Sequence, residues 1–197
     1  MFLRSAILGL LVPLLASSAG SPPAESGQEE KALAALDAFL AAADFGREEV
    51  VLGMVGFYGE PAPPQWLILT AEEPKAGVLR ESVFARGKVR AERRFRRLPG
   101  QELPTIPLRR EELRIDSGEA FRIVEEVARS EKVAFDSVHY QLRCREAESE
   151  PVWMLNLISP AQVSLGVVYL SARSGEVLRV SWVRPPMEGF ATTPREE

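Results

Sequence analysis

Apolar and polar positions along this chain switch twice between a helical and a strand period, and both passes predict the same order of elements. From Glu29 to Ala43, Leu33, Leu36, Phe39, Leu40 and Ala43 recur at helical spacing behind the charged opening Glu29-Glu30-Lys31. That spacing predicts an amphipathic helix, closed by Gly46. Strand-like runs follow at Val50 to Tyr58, Gln65 to Ala71, Val78 to Ala85 and Lys88 to Arg97. Pro61, Pro63 and Pro64, then Lys75-Ala76-Gly77, then Gly87 separate them. In the last run Lys88, Arg90, Glu92, Arg94 and Arg96 alternate with Val89, Ala91 and Phe95, which is period two with one solvated face.

The order then repeats beyond a proline-bearing stretch, Leu98 to Arg110. Asp116 and Glu119 have capping-box spacing, and Ala120, Ile123, Val124, Val127 and Ala128 give a second helix its apolar face. Strands are expected at Phe135 to Cys144, Pro151 to Leu157, Val163 to Leu170 and Val177 to Val183, with the acidic run Glu146 to Glu150 as a surface loop. Trp66 and Trp153 stand 87 positions apart, and Gly87 and Gly175 stand 88 apart. The chain therefore reads as one unit written twice. A helix and a sheet with one apolar face each cover one another. The expected fold class is α+β: two tandem helix-plus-antiparallel-sheet repeats, with the helices packed on one sheet face, and one continuous sheet or two lobes both left open. The first repeat spans 29–97, a linker 98–112, and the second repeat 113–184.

The two ends read differently. Arg4, the apolar run Ala6 to Leu15 and the small residues Ser17 to Gly20 have the layout of a secretory signal peptide over 1–20, cut near Ala19 or Gly20. The expected location is secreted or periplasmic. Residues 21–28 read as a flexible leader, and 185–197, with Pro185, Pro186, Gly189 and Pro194, as a disordered tail.

Composition and charge alter this picture at few points. With 46% hydrophobic residues among 197, a packed core is within reach, and a net charge of -4 argues against nucleic acid as the partner. The lone cysteine, Cys144, cannot form an intramolecular disulfide and falls in phase with Val138, Tyr140 and Leu142, so it reads as a buried, inert thiol. His139 is the only histidine, which leaves a metal site without a second imidazole. The acidic pairs Glu29-Glu30, Glu48-Glu49, Glu72-Glu73, Glu111-Glu112 and Glu125-Glu126 are adjacent in sequence and do not converge on one substrate atom. No glycine-rich phosphate loop, paired-cysteine motif or calcium loop occurs. The expectation is a protein without catalytic residues, cofactor or metal. Trp66 and Trp153 read as core, and Asn156 as a satisfied polar residue within an apolar strand.

One local anomaly stands out, the basic run Arg86, Lys88, Arg90, Arg93, Arg94, Arg96 and Arg97. Arg90, Arg94 and Arg96 are candidate binding residues for an acidic partner or for anionic lipid or glycan. The same run also reads as a charged edge strand that discourages pairing. Trp182, beside Arg184, is a further candidate.

The segment Asp116-Ser117-Gly118-Glu119-Ala120, the helix to Ala128, and the run Tyr169-Leu170-Ser171-Ala172-Arg173-Ser174-Gly175-Glu176-Val177 carry a resemblance. Over Ile115 to Val183 the chain resembles a PepSY domain, whose pattern is a helix opened by Ser-x-Glu-Ala and a hairpin reading Tyr-x-Val-Asp-Ala-x-Thr-Gly-Glu-Val. Gly175 matches, Ser171 stands where the family has Asp, and a degenerate echo in Glu29 to Arg97 lacks the Asp-Ala-x-Thr part. The resemblance implies an exported bacterial module of the kind found in protease propeptides and envelope proteins, with no catalytic residues to carry over. The expected function is an exported, non-enzymatic binding module that engages a protein or peptide, a peptidase among the candidates, through a sheet face or edge. The alternative is an envelope-surface adaptor that binds anionic lipid or glycan through residues 86–97. Oligomeric state is left open.

Overall fold

The structure, a computed structural model, describes residues 30–42, 49–72, 77–98, 100, 101, 103–144 and 150–183. The export leader expected at 1–20, the flexible leader at 21–28, the tail at 185–197 and most of the acidic loop at 146–150 lie outside the described residues. Eight strands form where the alternating runs stand: β1 (Val50–Gly59), β2 (Trp66–Ala71), β3 (Val78–Ala85), β4 (Lys88–Arg96), β5 (Ser137–Cys144), β6 (Pro151–Ile158), β7 (Ser164–Ser171) and β8 (Val177–Trp182). Two helices join them, α1 (Ala32–Ala41) and α2 (Ser117–Ser130). No described helix is long and apolar enough to cross a membrane.

All eight strands belong to one antiparallel sheet in the order β4-β3-β2-β1-β5-β6-β7-β8. This corrects the expected fold class. The chain does not fold as two tandem helix-plus-sheet repeats with helices packed on them; among the described residues it is a single continuous sheet accompanied by two α-helices of 10 and 14 residues. The physical reason lies at the centre. A four-stranded meander leaves β1 and β5 each with a row of unpaired main-chain groups, and pairing them satisfies both rows at once. Met54 stands opposite Leu142 and Gly56 opposite Tyr140, so the join also keeps the apolar side chains on a common face.

That inner face carries Trp66, Ile68, Phe84, Met54, Tyr140, Leu142, Trp153, Leu155, Val168 and Leu170, and all ten are essentially inaccessible to solvent. Leu33, Leu36 and Phe39 of α1 and Ala120, Val124 and Ala128 of α2 belong to the same buried cluster. Trp66 lies 6.3 Å from Trp153, and Tyr140 lies within about 6 Å of both rings, at 5.8 and 6.0 Å. A buried indole needs a partner for its N–H. Trp66 Nε1 donates to the carbonyl of Glu30 at 2.8 Å and Trp153 Nε1 to that of Ile115 at 2.9 Å, so each tryptophan holds the chain just ahead of a helix.

The two helix starts meet. Lys31, at the N-cap of α1, gives no side-chain bond. Instead Ser117 Oγ accepts from Ala32 N, and Asp116 Oδ1 accepts from both Leu33 N and Ser117 N. One carboxylate thus sits between two helix N-termini, where the partial positive charges of both favour it. The capping box expected of Asp116 and Glu119 is replaced by this shared cap, because the incoming α1 supplies amides that compete for the same oxygen.

The connection between β4 and α2 wraps the end of the sheet. Arg97 donates to the carbonyls of Leu103 and Pro104, and Leu108 N donates to Val51 O. At the β7–β8 turn Ser171 Oγ accepts from Arg173 N and Ser174 N, so its hydroxyl organises the turn. Gly175 follows at φ +78°, and a Cβ there would also press on Ile123 and Ile115 at 3.2 and 3.3 Å.

Candidate functional site

The residues singled out in the sequence fall on the two edges of the sheet. Arg90, Arg94 and Arg96 lie on β4, and Trp182 lies on β8. The sheet thus separates them by its full width.

β4 is exposed along its length except at Phe95. Its charge is neutralised only in part. Arg93 pairs with Glu81 at 2.8 Å and covers the Phe95 ring at 5.5 Å. Glu92 accepts from Ser82 Oγ at 2.9 Å and lies 3.5 Å from Arg80, whose guanidinium is bound mainly to Glu49. Arg90 donates to the carbonyl of Ala85 at 3.2 Å. Among the described residues no carboxylate pairs with Lys88, Arg94 or Arg96. The ladder with β3 also shifts: Val83 faces Ala91 whereas Phe84 faces Val89, so Arg90 stands opposite no residue. The simple alternation read from the sequence ends at this bulge. Arg94 and Arg96, opposite Arg80 and Val78, share one face of the strand, about 7 Å apart along it.

β8 differs in kind. Its only charge is Arg179, which lies 5.9 Å over the Tyr169 ring. Val177 and Leu178 are 39% and 45% exposed, and the following Val183 is 57% exposed. Trp182 is half-buried, stacked across Gly166 of β7 so closely that a Cβ on that glycine would lie 2.4 Å from its ring. Sequence reading reached Trp182 through its neighbour Arg184 and passed over Leu178 and Val180. The signal was present as a strand with one charge in six residues.

Away from the edges, His139 and Cys144 share β5 but point to opposite faces, about 16 Å apart along the strand. A Cys–His dyad therefore cannot form between them. Cys144 is buried with its Sγ 3.7 Å from the carbonyl of Pro107, and burial, reinforced by the Glu112 charge, raises its pKa. His139 is wedged between the exposed rings of Phe57 and Tyr58, at 5.1 and 4.5 Å. Burial lowers its pKa, and its Nε2 has no hydrogen-bond partner among the described residues. Phe57 and Tyr58 lie at a register shift of β1, Tyr58 with φ +55°, and sequence reading gave them no role. A shallow groove of about 620 Å³ runs beside α2 past Phe121, Arg122, Glu125 and Phe135, open to solvent and mixed in charge. No group of three potential metal ligands occurs among the described residues.

Compared with known proteins, the chain matches no family model, no curated protein and no solved structure, so its resemblance to the PepSY family rests on the motif residues alone.

Proposed function

We propose that this protein is an exported, non-catalytic binding module that seats an extended acidic segment of a partner protein along β4. One observation carries the reading: a free edge strand whose cations Lys88, Arg94 and Arg96 have no carboxylate partner among the described residues. An added strand gains main-chain hydrogen bonds from the edge, and side chains at alternate positions give specificity. Arg94 and Arg96 favour a ligand with carboxylates two residues apart on the facing side. The same cations repel basic or self-like edges, so one device both selects and excludes. The PepSY resemblance makes an envelope or secreted peptidase the first partner to assay.

The alternative surface is anionic lipid or glycan, which the same three cations also suit. A planar surface would use the charge of β4 and leave its unpaired main-chain groups unused, which is why a peptide is preferred. The test is a titration of the full chain with an extended peptide carrying alternate glutamates, with the same peptide carrying glutamines, and with anionic vesicles, each at low and high salt. Selective binding of the glutamate peptide, lost in R94A/R96A, supports the proposal. Binding to vesicles without binding to the peptide would overturn it in favour of the surface adaptor.

A further inference from the structure

The ladder between β3 and β4 fixes which main-chain groups of the β4 edge are free. Arg97 N donates to Gly77 O at 2.7 Å, one step beyond the facing pair Val78 and Arg96, so Arg97 and Gly77 form a hydrogen-bonded pair. Bonded and non-bonded pairs alternate along an antiparallel ladder. Phe95, opposite Leu79, and Arg93, opposite Glu81, therefore direct their main-chain groups toward β3. Arg96, Arg94 and Glu92, opposite Val78, Arg80 and Ser82, turn theirs outward. The register is unbroken over these five residues and shifts only between Val83 and Phe84, where Arg90 is the extra residue. That bulge ends the straight part of the edge, so an added strand pairs with 92–96 and not with the whole of β4.

The side chains of the three outward-bonding residues share one face, in the order Glu92, Arg94, Arg96. That order has a direction: one carboxylate, then two guanidiniums. Glu92 is not used up by its neighbours. Its Oε1 accepts from Ser82 Oγ at 2.9 Å, Arg80 lies 3.5 Å away but is bound mainly to Glu49, and the Glu92 side chain is 42% exposed. On the other face Arg93 is paired with Glu81, and Phe95 packs with Leu103 against Leu79.

Resting on the reading of β4 as a peptide edge, we infer that Glu92 sets the order and direction of the bound strand. The strand runs antiparallel to β4, with a carboxylate opposite Arg96, an apolar residue opposite Phe95, a second carboxylate opposite Arg94 and a cation opposite Glu92. From its N-terminus it reads acid, apolar, acid, any residue, base. Antiparallel pairing exchanges both N–H···O bonds at each of the three outward residues, and it continues the arrangement of every ladder in the sheet. Like charges directly opposite one another weaken a strand pair. Glu92 therefore excludes a uniformly acidic strand that the two arginines alone would accept. The reversed order, laid antiparallel, sets a base against Arg96 and an acid against Glu92.

The experiment titrates the full chain with three capped peptides in the same neutral flanks: Glu-Leu-Glu-Ser-Lys, its reversal Lys-Ser-Glu-Leu-Glu, and Glu-Leu-Glu-Ser-Glu. The first is expected to bind about tenfold tighter than either of the others. Amide exchange then shows new protection at Glu92, Arg94 and Arg96, whereas the Arg93 and Phe95 amides are protected in the free chain as well. E92Q keeps an acceptor for Ser82 Oγ and removes the charge, so the first and third peptides should bind it alike; E92K should prefer the third. Equal binding of the first peptide and its reversal, lost in R94A/R96A, overturns the inference and leaves the β4 reading standing. A preference for the first peptide over the third that persists in E92Q does the same. Failure of all three peptides to bind, or binding unchanged in R94A/R96A, overturns the β4 reading and the inference with it.

Discussion

β4 and β8 occupy equivalent places at the two ends of one sheet, and each offers a row of unpaired main-chain groups. They solve the hazard of an open edge in different ways. β4 carries Lys88, Arg90, Arg93, Arg94 and Arg96 over nine residues and is kinked by the bulge at Arg90. β8 is six residues long with one arginine, and that arginine is drawn over Tyr169. Charge makes the first edge selective, since only an oppositely charged strand can approach it. The second is limited by its shortness, by a register shift of its own at Leu178 and by the stacking of Trp182 on Gly166.

The sharpest way to break this comparison is to damage one edge alone. G166V drives a side chain into the Trp182 ring and against the Ser181 carbonyl, where a Cβ would already lie 2.9 Å from the oxygen. We expect a loss of about 3 kcal/mol in denaturant unfolding, with peptide binding at β4 retained in the folded fraction. A change that strikes neither edge is the control. D116A removes the acceptor shared by Leu33 N and Ser117 N. It should cost about 2 kcal/mol of stability, measured by the same unfolding curve, with peptide binding at β4 intact below the midpoint.

Charge reversal at the other edge completes the contrast. R94E/R96E should weaken binding of the glutamate peptide, measured by titration, by at least about tenfold. The smallest effect is expected at His139, away from both edges. Burial holds its folded pKa below the ordinary 6.5, so below that value the unfolded chain takes up a proton that the folded chain refuses. Its contribution is fully present above 6.5 and is lost as pH falls toward the folded pKa. The melting temperature of H139Q should therefore decline less than that of the wild type between about pH 7 and pH 5.

Local pattern made the elements legible. The alternation of Val138, Tyr140, Leu142 and Cys144 places β5 and its buried side, and the apolar spacing after Asp116 places α2. The two tryptophans read as core lie in the core. The join between β1 and β5 was not legible, because alternation shows which side of a strand is apolar and says nothing about which distant strand will lie beside it. That missing contact is why the pattern points to two helix-plus-sheet repeats and leaves one sheet or two lobes open, where the chain forms one sheet. The bulge at Arg90 was hidden for a related reason: a shifted register depends on the facing residues Val83 and Phe84 as much as on the basic run itself. At the candidate edges, composition marked β4 through its excess of charge. β8 gave only a deficit, which is the weaker signal.

The shared cap has a consequence for the order in which the chain is made. Ala32 and Leu33 bond to acceptors 85 and 83 positions further along, so the start of α1 has no side-chain cap until Ser117 and Asp116 have been synthesised. Contacts of such sequence separation close late. A nascent chain that has reached only Arg97 holds four strands, a helix with two unmet amides, and β1 with its β5 side still unpaired. The first half of this protein must therefore wait for the second, and its vulnerable interval during translation ends when β5 arrives.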